Sequence, residues 1–175
     1  MRRCRSSLLL LALLPFASSA GEGSGPTWAE TLHSVETEFS AVPQVTPAAL
    51  AGKLEAGKGS KPLLLDIRAP AEYRISHLHG ARQASNARAA LALLRDVDQS
   101  RDILVYCSVG WRSSAVAERL RKAGYRNVSN LRGGIFTWAN EGRPLYSGDQ
   151  RVAAVHPFDQ NWGRLLQQKY HPPGG

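Results

Sequence analysis

The chain is 175 residues long and carries a formal net charge of +8. That length suits one domain with an extension and is enough to bury a real core. The positive charge sits on single arginines without interleaved aromatics, which reads as a solvated surface with some pull on small anions and excludes nucleic acid as the expected partner.

Residues 1–20 read as a cleaved secretory signal. Arg2, Arg3 and Arg5 form a basic n-region, Leu8 to Leu14 an apolar core, and Ser18-Ser19-Ala20 a small-residue cleavage site. The apolar run is shorter than the roughly 20 residues a membrane span needs, so no stable membrane insertion is expected after signal removal. Its continuous leucine block also differs from an amphipathic organelle transit peptide. The expected location is periplasmic or secreted. Cleavage removes three positive charges and no acid, leaving a formal +5, and it removes Cys4, so Cys107 becomes the single cysteine. In an exporting compartment that thiol has no partner in its own chain for a structural disulfide. It is either inert and buried or retained for its reactivity.

Residues 21–41 are a linker and an N-terminal helix. Gly21 to Pro26 is the Gly/Ser-rich part, and Trp28, Leu32, Val35 and Phe39 then fall at helical spacing. Val42 to Val45 predicts a short strand. Thr46-Pro47 is a helix start, a capping hydroxyl followed by proline at the first helical position, and that helix is expected to end near Gly57 in a Gly57–Ser60 turn. Pro62 to Arg68 is an apolar run of strand length with Asp66 near its end, the pattern of a strand covered on both faces of a parallel sheet. A turn or short helix carrying Glu72 and Tyr73 follows, then loop and weak strand over His77 to Ala84. Asn86 opens a helix with Leu91 and Leu94 expected inside. Ile103 to Tyr106 is a second apolar strand, followed by a helix whose inner face is Val116, Leu120 and Ala123 and which Gly124 closes. Val128 to Leu131 is another strand, Gly133-Gly134 a sharp turn, and Ile135 to Asn140 a short helix. Such alternation predicts an α/β fold, a parallel sheet with helices on both faces.

Functional groups in such sheets gather beyond the carboxyl ends of strands. Asp66-Ile67-Arg68 and Cys107 both sit at such ends, so they are expected to share one rim. After Cys107 the chain reads Ser108-Val109-Gly110-Trp111-Arg112-Ser113. A free thiol has a pKa near 8.5, and converging amides, a helix N-terminus and a nearby cation lower such values to roughly 3.5–7.5. Gly110 allows positive φ, Arg112 supplies a permanent cation, and the following turn adds the positive end of a helix dipole. Cys107 therefore reads as a nucleophile aimed at an anionic group, the bland alternative being a buried structural cysteine.

Four segments together resemble a single-domain rhodanese: Leu65-Asp66-Ile67-Arg68-Ala69-Pro70-Ala71-Glu72-Tyr73, His77-Leu78-His79-Gly80-Ala81, Val105 to Ser114, and Leu131-Arg132-Gly133-Gly134-Ile135-Phe136-Thr137-Trp138. The resemblance implies a sheet of about five parallel strands in a domain over residues 42–146, with a C-terminal extension over 147–175. It also implies sulfur transfer. Cys107 thiolate attacks the outer sulfur of a small anionic donor such as thiosulfate, becomes a persulfide, and passes the sulfur to a thiol or cyanide. Loop groups from Ser108, Val109, Gly110, Trp111, Arg112 and Ser113 would hold the persulfide and the donor's oxygens, with Asp66, Arg68 and Glu72 in support. No organic cofactor and no metal are needed, and the His77/His79 spacing lacks the further ligands of a metal site.

Departures from the family pattern carry information. The position two after the cysteine is lysine in many thiosulfate enzymes and is Val109 here, which puts thiosulfate in question as the natural donor. His79 replaces the family's usual proline before Gly80. Trp111 either covers the sulfur or caps the helix behind it. Phosphatases and arsenate reductases of this fold have five residues between cysteine and arginine, and here four separate Cys107 from Arg112, which favours sulfur transfer over oxyanion chemistry. A non-catalytic binding module on the same scaffold is the other alternative. Arg112 is expected to bind a donor anion or to pair with Glu72 or Asp66, and Arg68 to steer anions or join a surface pair. In the tail, Phe158, Trp162, Leu165 and Leu166 repeat at helical spacing, which predicts a wrap onto the domain, with a docking helix for a protein partner as its rival.

Overall fold

The computed structural model describes residues 25–56 and 61–174. The signal sequence, most of the Gly/Ser linker and the Gly57–Ser60 turn lie outside the described residues. Five strands, β1 (Gln44–Val45), β2 (Leu63–Asp66), β3 (Arg82–Gln83), β4 (Ile103–Tyr106) and β5 (Val128–Leu131), form one sheet in the order β1-β5-β4-β2-β3. Every pairing in it is parallel, and β4 lies at its centre between β2 and β5.

The strands read as apolar runs because both sheet faces are covered. Alternation divides each strand between two cores. Leu64, Leu104, Tyr106 and Leu131 face one side, with Leu50 of α2 (Pro47–Glu55) and Ile135, Phe136 and Trp138 of α6 (Gly134–Asn140). Leu65, Ile67, Ile103, Val105 and Val128 face the other, against α4 (Ala87–Leu93) and α5 (Trp111–Lys122). Capping follows the sequence signals. Thr46 accepts the Ala49 N–H ahead of Pro47, and Asn86 accepts the Ala89 N–H at the start of α4. Thr27 and Glu30 form a reciprocal capping box at α1 (Trp28–Glu38).

Three local expectations fail, each for a geometric reason. Leu91 is exposed, because α4 turns the small residues Ala87 and Ala90 and then Leu94 toward the sheet. Ala123 is also exposed as the C-cap of α5, whose inner face is Ser113, Ser114, Val116, Ala117 and Leu120. The tail does not form one helix over Phe158 to Leu166: α7 spans only Gln160–Gly163. The antiparallel hairpin of β6 (Leu145–Ser147) and β7 (Gln150–Val152) was absent from the sequence reading, although Gly148 between them, at φ 59°, is the residue type such a turn needs. Beyond the hairpin the tail returns to the first core, where Val155, Leu165 and Leu166 are buried. There the Leu165 carbonyl accepts the indole N–H of Trp28 and the amide of Asn140.

Candidate active site

Cys107 follows the last residue of β4 and is 1% exposed. The chain then turns through Gly110, the N-cap of α5, at φ 103°. Its N–H points back at the cysteine, with nitrogen and Sγ 3.2 Å apart. A side chain at Gly110 would combine a left-handed backbone with a Cβ 3.1 Å from the Asn130 amide. Ser114 makes the first intrahelical bond, to the Gly110 carbonyl, so the N–H groups of Trp111, Arg112 and Ser113 open α5 without intrahelical acceptors.

The loop carbonyls are held from the neighbouring element. The Ile135 N–H donates to the Cys107 carbonyl at 2.9 Å and the Phe136 N–H to the Ser108 carbonyl at 3.1 Å. Gly134 makes this approach possible, because a Cβ on it would lie 2.5 Å from the Ser108 carbonyl oxygen, at φ 58°. The segment from Leu131 to Trp138 is thus the second wall of the cysteine loop.

Glu72 of α3 (Pro70–Ile75) organises the open side. Its carboxylate accepts from both terminal nitrogens of Arg112 (3.2 and 3.1 Å), from the Ser108 hydroxyl (3.1 Å) and from the Ala69 N–H (2.9 Å). Arg112 also donates to the Ser108 hydroxyl oxygen at 3.0 Å. Burial works against the Glu72 carboxylate, but the hydrogen bond from Arg112, the Ala69 N–H and the charges of Arg112 and Arg68 hold its pKa below the ordinary value. Burial likewise opposes the Arg112 cation, and its bonds to Glu72 and the charge of Cys107 hold its pKa above the usual one. Of its two expected roles, Arg112 thus takes the pairing one, with Glu72 rather than Asp66 as its partner.

Asp66 and Arg68 lie one layer deeper. The guanidinium grips the carboxylate through Nε (3.0 Å) and Nη2 (2.7 Å), both side chains are 0% exposed, and Nη2 also donates to the Ser76 carbonyl. Arg68 is therefore neither an anion-steering group nor half of a surface pair, because the fold closes over the Asp66–Arg68 hairpin and leaves it no path to solvent. In register Asp66 sits beside Tyr106, directly before the cysteine. Ser113 is buried, with its hydroxyl donating to the Gly110 carbonyl, and does not line the cavity over Cys107.

A cavity of about 200 Å³ opens on Cys107. Ser108, Val109, Trp111 and Arg112 line it with the cysteine, and the tail completes it with Phe158 and Trp162. Trp111 lines this cavity and meets Phe39 edge-on, with ring centroids 5.3 Å apart. The Phe158 ring lies over the Arg112 guanidinium, 4.6 Å from its centre. The sequence reading gave the tail a packing role and missed this contribution. Its signal was the cluster of ring residues beside Pro157, too far along the chain to be assigned to the loop.

The rhodanese-like domain family model matches residues 46–141. A "Sulfurtransferase" of Allochromatium vinosum is 37% identical over 83 residues, covering 47% of this chain and 77% of that protein. The "Probable adenylyltransferase/sulfurtransferase MoeZ" of Mycobacterium tuberculosis is 35% identical over 104 residues, covering 57% of this chain and 25% of its own length, so the chain spans about a quarter of that relative. Among solved structures, the rhodanese-like domain of the Anabaena Alr3790 protein superposes with a TM-score of 0.55 at 29% identity, covering 65% of this chain and 86% of that one. With more than half of its length under that family model and a cysteine loop set at the end of the central strand, the chain belongs to the rhodanese-like family.

Proposed function

We propose that the protein is an exported sulfurtransferase that carries sulfane sulfur on Cys107. The observation that supports it most directly is the Gly110 N–H on the Cys107 sulfur at the base of an open cavity. With thiosulfate as donor, the thiolate attacks the outer sulfur, a Cys107 S–S bond forms, the donor S–S bond breaks, and sulfite leaves with the electron pair. The persulfide is then attacked at its outer sulfur by a thiol or cyanide, which releases Cys107 as thiolate. Arg112 and the N–H groups opening α5 offset the negative charge on the persulfide. The leader-like residues 1–20 support export, and the product is a periplasmic or secreted protein whose partners are a small sulfur donor and a thiol acceptor.

The test is thiocyanate production from cyanide and a sulfane donor. Turnover by the wild type that is absent in Cys107→Ser supports sulfur transfer, and turnover that survives the substitution contradicts it. A binding-module reading draws on Val109, which places an apolar side chain in the cavity lining two residues after the cysteine. It predicts tight retention of a ligand with no thiocyanate formed. Export predicts that the processed chain, starting near Gly21, is recovered outside the cytoplasm on cell fractionation.

A further inference from the structure

The cavity over Cys107 is completed by a part of the chain outside residues 46–141, and its lining is richer in rings than in charge. Among the described residues lining it, Arg112 is the one cation. That cation is already engaged by both carboxylate oxygens of Glu72 and covered by the Phe158 ring. Three of the other lining residues are rings, Trp111, Phe158 and Trp162.

The tail is built to hold these rings there. Phe158 has φ 68°, the one non-glycine residue among those described with a left-handed backbone, a conformation that is strained for an aromatic residue. A chain of local bonds stabilises it. The Phe158 N–H donates to His156 Nδ1 at 3.0 Å, the Asp159 carboxylate caps α7 through the Trp162 N–H at 2.8 Å, and Leu165 and Leu166 anchor the far end in the core. With 43% of its surface exposed, Phe158 lies outside the core, and its ring rests over Arg112.

Resting on the sulfur-transfer reading, we infer that Trp111, Phe158 and Trp162 form an aromatic collar that selects an organic hydropersulfide, R–S–SH with an apolar R group, as donor over thiosulfate. Cys107 thiolate attacks the outer sulfur, the new S–S bond to Cys107 forms as the donor S–S bond breaks, and R–S⁻ leaves with the electron pair. The proton stays on the transferred sulfur. The R group lies among the three rings, and the leaving thiolate needs no cation beyond Arg112.

The experiment compares the rates at which benzyl hydropersulfide and thiosulfate load Cys107 in the full mature chain, in the wild type and in Phe158→Gly and Trp111→Ala. Phe158→Gly removes the ring and relieves the left-handed strain, and Trp111 is exposed, so both variants are expected to fold, as thermal melts will check. The collar predicts that the benzyl-to-thiosulfate rate ratio falls about tenfold in each variant. Intrinsic donor reactivity cancels in that comparison. Loading by thiosulfate with an unmoved ratio in both variants overturns the collar and leaves sulfur transfer standing. Loading by neither donor overturns both.

Discussion

Glu72 joins the cysteine loop to α3 through three hydrogen bonds and accepts a fourth from the Ala69 N–H of its own helix cap, and its loss is felt in two ways. Glu72→Gln keeps the shape but discards the charge opposite Arg112, with an expected destabilisation of about 1–3 kcal/mol by denaturant unfolding, since Arg112 keeps some solvent contact. Its pKa is depressed in the folded state relative to an ordinary value near 4.5. The stabilisation is therefore present above that value and lost as pH falls through the folded pKa. The gap in melting temperature between wild type and Glu72→Gln should accordingly be constant near neutrality and shrink in acid below about pH 4.5. A gap that widens in acid would contradict the pairing. The Asp66–Arg68 pair is fully buried, so Arg68→Ala strands a carboxylate and is expected to cost about 3–5 kcal/mol. The nucleophile was legible in the sequence because a strand, a cysteine, a glycine and an arginine fall within ten residues. The partner of Arg112 was legible only as a choice between two acids, since 40 positions separate it from Glu72 and local spacing carries no information across a parallel crossover.

At the level of elements, α5 and α6 hold the loop from two sides, α5 by opening at Gly110 and α6 by donating its Ile135 and Phe136 N–H groups to the loop carbonyls. The two glycines with similar φ make a paired test. Gly134→Ala places a Cβ against the Ser108 carbonyl, whereas Gly148→Ala, also left-handed, meets nothing within 4 Å. Gly148→Ala should cost only the backbone term of about 1–2 kcal/mol. Gly134→Ala should cost clearly more and slow Cys107 loading by pushing the loop away from α6. Equal melting temperatures for the two variants would show that the close approach is unimportant. Strand and helix order was readable from alternation and capping residues. Leu91 was misplaced because three small residues, Ala87, Ala89 and Ala90, let α4 pack closely on the sheet, and hydrophobic spacing alone weights leucine over alanine.

Across the whole molecule, the tail belongs to both core and site. Val155, Leu165 and Leu166 fill the sheet face that α2 and α6 also cover, while Phe158 and Trp162 reach the cavity over Cys107. Leu165→Ala should therefore destabilise the entire domain by about 2–5 kcal/mol rather than loosen the tail alone. Limited proteolysis should not release residues 153–175 rapidly from an otherwise intact domain. Rapid release would separate tail from core. The wrap was foreseen from its apolar spacing, but its route was not, because Pro157, the left-handed Phe158 and the four-residue α7 replace the regular helix that spacing suggested.

Whether Cys107 carries a transferable sulfur is read out by intact-protein mass spectrometry. After incubation of the mature chain with thiosulfate, a polysulfide or benzyl hydropersulfide, the expected result is a mass gain of one sulfur atom that cyanide or a thiol removes and that Cys107→Ala abolishes. No gain with any of these donors would contradict sulfur transfer through Cys107.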